Sequence, residues 1–180
     1  MQLRHTILGL LDISPQSGYD LGRAFAGSVA HFWHADQSQI YRTIDRLEVD
    51  GAVATEVVVQ TGRPDRRVHA LTEAGRAELQ EWLRSPVETP LPKEPFLARL
   101  FFAEPLGAEG VLRLLDERAD AVRTERAQLD DLPRAADGSR AAEGLGAVLR
   151  TATLDAGLRA ADAELAWLDD VRAAVQTRMP

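Results

Sequence analysis

The chain has 180 residues, enough for one large domain or two small ones. Apolar residues make up 45% and charged residues 27%, which supports a buried core and argues against wholesale disorder; the absence of cysteine excludes disulfides, a thiol nucleophile and Cys-based metal sites. The net charge of −7, from 21 basic and 28 acidic residues, argues by itself against a nucleic-acid binder, because phosphate contacts need basic surface.

The first apolar run, residues 7–11, is closed by Asp12 and is too short for a secretory signal. No stretch approaches the roughly 18 to 20 apolar residues that would cross a bilayer, so a soluble, cytoplasmic chain without a membrane partner is expected. Leu3, Ile7, Leu10 and Leu11 follow helical spacing, and Ser14 to Gly18 reads as a turn. Leu21, Phe25 and Val29 mark a second helix. Asp36 caps a third, with Gln39 completing a capping box and Ile40, Ile44 and Leu47 as its core stripe; Gly51 is its stop. Val53, Thr55, Val57 and Val59 then alternate as a strand, residues 61–65 carry turn chemistry, and Arg67, His69 and Leu71 alternate again. Thr72 caps a fourth helix whose inner face is Leu79, Trp82 and Leu83. Three helices, a β-hairpin wing and a fourth helix make a winged helix-turn-helix.

Three prolines between residues 86 and 92 mark a linker, since proline disfavours helix at itself and at the residue before it. Beyond it everything reads helical. Pro95 opens a helix carrying Phe96, Leu97, Leu100 and Phe101. Val111, Leu114, Leu115, Val122 and Leu129 mark a longer one. Leu145, Leu149, Ala152, Ala156, Leu165, Leu168 and Val175 mark a third, from about residue 140 to 177, separated from the second by a loop over residues 133–139. At 1.5 Å per residue this last helix is roughly 55 Å long, too long to bury its stripe on one small domain, and a second copy is the expected partner. The chain is thus mainly α. The expected organisation is a winged helix-turn-helix domain over residues 1–84, a linker over 85–94 and an all-helical dimerisation domain over 95–180.

With Ile40, Ile44 and Leu47 inward, Ser38, Gln39, Arg42, Thr43 and Arg46 lie toward the other side of the third helix. Arginine reads guanine, glutamine reads adenine, and hydroxyls suit either. The alternative is a solvated polar face in which Asp45 and Asp50 engage Arg42 and Arg46. Arg63, Arg66 and Arg67 cluster at the hairpin tip, where they suit phosphates or serve simply as solvated surface. Residues 1–84 carry nine basic and eleven acidic residues, net −2; residues 85–180 carry twelve and seventeen, net −5. The acidic excess therefore lies mostly outside the winged helix, whose near-neutral surface predicts salt-sensitive binding that depends on two copies.

The motifs running from Ser17 through Tyr19-Asp20-Leu21, from Phe32 to Glu48, through Gly62-Arg63-Pro64-Asp65-Arg66-Arg67 and through Leu71-Thr72-Glu73-Ala74-Gly75 to Leu83 resemble the PadR family of bacterial transcriptional regulators. Residues from Lys93-Glu94-Pro95-Phe96 to Phe102, and Trp167-Leu168-Asp169, resemble the long virulence-activator-like helical domain found in that family. The resemblance implies a homodimeric regulator, usually a repressor, that binds double-stranded pseudo-palindromic operator DNA and is released by a small aromatic or hydrophobic effector. By position, Tyr19, Ser38, Gln39, Tyr41, Arg42 and the wing arginines fall where the family touches DNA. The family commonly has glycine or another small residue where Ser38 stands. Tyr41 either reaches a phosphate or packs on the second helix.

Trp82, Phe96, Phe101, Phe102 and Trp167 lie near the junction of the domains, as core aromatics or as an effector pocket formed by Trp82, Phe96, Phe101 and Trp167. His31, His34 and Asp36 fall short of a zinc ligand set, and His5 and His69 read as structural. No nucleophile elbow, P-loop or GxGxxG motif is present, so no catalytic residue, metal or cofactor is expected. A winged helix serving as a protein-interaction module without DNA binding is the alternative reading.

Overall fold

The computed structural model describes residues 3–30, 32–33, 35–60, 62, 65–87, 94–132 and 144–178. The chain is mainly helical with one small antiparallel sheet, and divides into two compact units, residues 1–90 and 91–180.

In the first unit, α1 (Leu3–Ile13) turns Ile7, Leu8, Leu10 and Leu11 inward. α2 (Gly18–Ala26) begins at a capping box: the Ser17 hydroxyl accepts from the Asp20 amide, and the Asp20 carboxylate accepts from the Ser17 amide at 3.1 Å. α3 (Gln37–Val49) repeats the device with Asp36 and Gln39. Each cap satisfies amides that a helix start leaves without partners. Gly51 follows α3 at φ +74°, a left-handed conformation that glycine adopts without a Cβ penalty. The chain then enters β2 (Val53–Val58) and β3 (Arg66–Leu71), and Thr72 caps α4 (Glu73–Arg84).

The wing is a three-stranded sheet, where the sequence predicted a two-stranded hairpin. Gln16 and Ser17, expected within a turn, form an edge strand, β1, opposite His69 and Val68 of β3, and the order is β1-β3-β2. Two residues are too few to register as alternation. Fully buried Ile7, Leu8, Leu21, Ile40, Ile44 and Leu47 form the core, with Leu79 of α4 closing it. Two expectations are corrected. Leu83, read on the inner face, is exposed because Leu79 and the half-buried Trp82 already cover the core; Val59, read as part of the strand, lies beyond the end of β2, within which Val57 is exposed.

In the second unit, α5 (Pro95–Phe101) and a short 3₁₀ turn lead into α6 (Gly107–Asp130) and α7 (Leu145–Gln176). The expected start of the last helix at about residue 140 lies outside the described residues. Its 32 described residues span about 48 Å. A second copy was expected to bury its stripe, but α6 already covers part of it: Leu115 and Ala119 meet Leu168, and Arg118 Nε and Nη2 donate to the two Glu164 oxygens at 2.7 and 2.8 Å. At 24 residues, α6 is long enough to do this. Leu145, Val148 and Leu149 in the first turns of α7 stay exposed. Phe101, considered as a core aromatic or a pocket residue, is also exposed, because the short α5 seats Phe96 and Leu100 on the core.

Candidate nucleic-acid interface

The outer side of α3 follows from where its inner side is fixed. Burying Ile40, Ile44 and Leu47 leaves Ser38, Gln39, Arg42 and Arg46 exposed and Thr43 partly so. These side chains are ordered by the helix itself. The Ser38 hydroxyl donates to Asp36 Oδ1 at 2.7 Å, and the Gln39 side-chain oxygen accepts from the Asp36 amide at 3.3 Å. Arg42 donates to the Ser38 carbonyl and hydroxyl at 3.2 and 3.3 Å, and Thr43 to the Gln39 carbonyl at 2.7 Å. The Ser38 hydroxyl and the Gln39 amide together hold the Asp36 carboxyl below the usual carboxylate range.

The carboxylate partners considered for the two arginines are not used. Asp50 instead accepts from Arg4, whose guanidinium also donates to both oxygens of Glu78 on α4. Arg46 has no ion-pair partner among the described residues. It shares a groove of about 460 Å³ with Gln39, Arg42 and Thr43, walled on the other side by Trp33 and Ala35.

Two tyrosines flank this surface. Tyr19 is exposed in the first turn of α2. The Tyr41 ring lies against Gly18, where a Cβ would overlap it, yet Tyr41 is still 42% exposed. Packing on α2 is therefore realised, and the side chain also remains at the surface.

At the wing, Arg63 lies outside the described residues. Arg66 donates to Asp20 of α2, and Arg67 Nη2 donates to Glu48 Oε2 of α3 at 3.0 Å. Neither link was read from the sequence. The Arg66 link depends on β1, because pairing of Ser17 with Val68 brings the start of α2 beside β3. The Ser17 hydroxyl first, and Arg66 after it, hold the Asp20 carboxyl below its ordinary range. Beneath the wing, His69 is buried, with Nδ1 2.8 Å from the Thr55 hydroxyl, and burial pushes its pKa down.

The aromatic residues considered for an effector pocket fall in both units and are described within each. Trp82, in the first unit, stacks on His5 at 4.9 Å. In the second unit Phe96 meets Trp167 edge-to-face at 6.3 Å, with the Arg118 guanidinium 5.9 Å from the Phe96 ring. Phe101 pairs with Phe102 at 5.0 Å, both exposed. Arg118 was missed at the sequence level because a lone helical arginine carries no signal. His31 and His34 lie outside the described residues, and no group of three or more His, Asp or Glu among the described residues is arranged to hold a metal.

Residues 7–81 match the transcriptional regulator PadR-like family, and residues 92–176 match the virulence activator alpha C-terminal domain. A Mycobacterium tuberculosis protein named as a probable transcriptional regulator is 34% identical over 99% of this chain and all of its own length. The chain belongs to the PadR-like family of transcriptional regulators. The Bacillus subtilis negative transcriptional regulator PadR is 30% identical over 72% of this chain and 70% of its own. The crystal structure of Bacillus subtilis PadR in complex with operator DNA is similar in fold, with a TM-score of 0.83 at 24% identity over 96% of this chain and 98% of that one. The same protein in complex with p-coumaric acid gives 0.74 at 23% identity over 97% and 98%. As a PadR-like regulator, the chain pairs a winged helix with the family's helical C-terminal domain.

Proposed function

We propose that this PadR-like regulator binds double-stranded operator DNA as a homodimer, acts as a repressor in the cytoplasm, and is released by a small aromatic or hydrophobic effector. The observation that carries the reading is the outward row of Ser38, Gln39, Arg42 and Arg46 on α3, beside a wing that carries Arg66 and Arg67 at the loop end of its hairpin. A recognition helix enters the major groove with its N-terminal residues, and those are Ser38, Gln39 and Arg42 here. Thr43 and Arg46 continue the row, Tyr19 and Tyr41 face the flanking phosphates, and the wing arginines Arg63, Arg66 and Arg67 reach the backbone beside the groove. The Bacillus subtilis PadR complex with operator DNA supports the first part, and its complex with p-coumaric acid supports an aromatic effector.

Homodimerisation is supported by the large apolar side chains left exposed in the second unit. Leu145, Val148 and Leu149 share one face of α7 by their i, i+3, i+4 spacing, and Phe101 and Phe102 end α5. For the effector, Phe96 and Trp167 with Arg118 above offer an aromatic, cationic setting.

The test is a titration of the purified protein against a mixed-sequence duplex at two salt concentrations. Binding should weaken steeply with salt, and Arg46→Ala should lower the slope of log K against log salt by about one. No binding even at low salt would contradict DNA recognition and favour a protein-interaction module.

A further inference from the structure

We propose that Glu48 and Asp20 set how well this protein discriminates between DNA sequences, by holding wing arginines away from phosphates until the base-reading helix is seated. The inference rests on the DNA-binding reading above. Arg67 Nη2 lies 3.0 Å from Glu48 Oε2, and Arg66 donates to Asp20. Both arginines sit at the start of β3, where it pairs with the last residues of β2 at the loop end of the hairpin, and both carboxylates belong to the helices beside it. A carboxylate and a phosphate oxygen compete for the same guanidinium protons. All four side chains are about one-third to one-half exposed, so the pairs are screened and exchangeable.

Exchange is therefore close to balanced, and geometry decides it. On an arbitrary sequence, where α3 gains no base contacts, the arginines stay on their carboxylates and few phosphates are neutralised. Once α3 is fixed by base contacts, the wing is held against the backbone and the arginines transfer. Each carboxylate thus lowers affinity for arbitrary DNA more than for the cognate site. Between residues 37 and 72 five arginines meet five acidic residues, and Glu48 is one of these carboxylates set against a wing cation; Asp20 adds the second from α2.

Glu48 is the better residue to test. Asp20 also accepts from the Ser17 amide and hydroxyl, so its replacement would uncap α2 as well. The experiment is a double-mutant cycle of Glu48→Gln and Arg67→Gln, read by binding to a mixed-sequence duplex between about 50 and 200 mM salt, with thermal melts to confirm folding. Glu48→Gln should bind this duplex more tightly and with a steeper salt dependence. One additional phosphate contact at a slope near 0.9 makes the variant's advantage largest at low salt and shrinks it about 3.5-fold as salt rises from about 50 to 200 mM. Arg67→Gln should cost more in the Glu48→Gln background than in the wild type. Equal losses in both backgrounds, or no gain from Glu48→Gln in a wild type that itself binds, would overturn the inference alone. A wild type and a Glu48→Gln variant that both fail to bind any duplex would overturn the DNA-binding reading, and the inference with it.

Discussion

His69 shows how a single buried side chain ties the wing to pH. Its ring is 4% exposed and bonded to Thr55, so the cost of burying charge lowers its pKa, with the nearby Arg67 adding to the shift. His5, stacked on Trp82, shifts the same way, again mainly through burial. A histidine with a lowered folded pKa refuses protons that the unfolded chain accepts, so its stability contribution is complete above the unfolded pKa of about 6.5 and falls as pH drops below it. The depressed carboxylates Asp20 and Glu78 act in a lower window: their stabilisation is lost only as pH falls below about 4. The melting temperature should therefore already decline between about pH 7.5 and 5.5, and His69→Gln should flatten that decline. A melting temperature equally flat across this range in wild type and variant would contradict the burial argument.

At the scale of elements, α4 shows tertiary packing overriding helix propensity. Gly→Ala inside a helix ordinarily stabilises by up to about 1 kcal/mol. At Gly75, however, a Cβ would run into the backbone carbonyl of Ala52, which also accepts from the Thr72 amide at 3.1 Å. Backbone cannot swing aside as a side chain can, so Gly75→Ala should destabilise the first unit by about 1–3 kcal/mol, measured by denaturant unfolding. A stabilised variant would show that α4 sits less tightly on Ala52 than the structure has it.

The helices and both long strands were legible because each carries its own periodicity and cap: Asp36 with Gln39, Thr72 ahead of α4, Pro95 at the start of α5. β1 was not legible, because two residues hold no period, and the Asp20–Arg66 link that depends on it was hidden for the same reason. The outward residues of α3 were legible from its buried stripe alone. Their engagement was not, since whether Arg42 bonds Ser38 or an aspartate depends on side-chain conformation. The length of α7 was readable, but its partner within the chain was not, because α6 has an equally plain apolar stripe and nothing in either sequence names the other.

For the whole molecule, the net charge of −7 gives a poor account of function. Most of the acidic excess lies beyond residue 84. Within the winged helix, acidic residues are set against particular arginines: Asp50 and Glu78 hold Arg4 between elements, while Asp20 and Glu48 hold the wing. On the proposed reading, what remains for DNA is a short row of side chains on α3, which for useful affinity would act in two copies. The most direct measurement is selection of binding sites from a randomised duplex library by the full-length protein, repeated with Gln39→Ala. The account predicts an inverted repeat whose half-sites lie one helical turn, about 10 base pairs, or a multiple of it apart, with the preferred base at one position of each half-site changed in the variant. Enrichment of no sequence, or of a site without two-fold symmetry that is unaffected by Gln39→Ala, would contradict it.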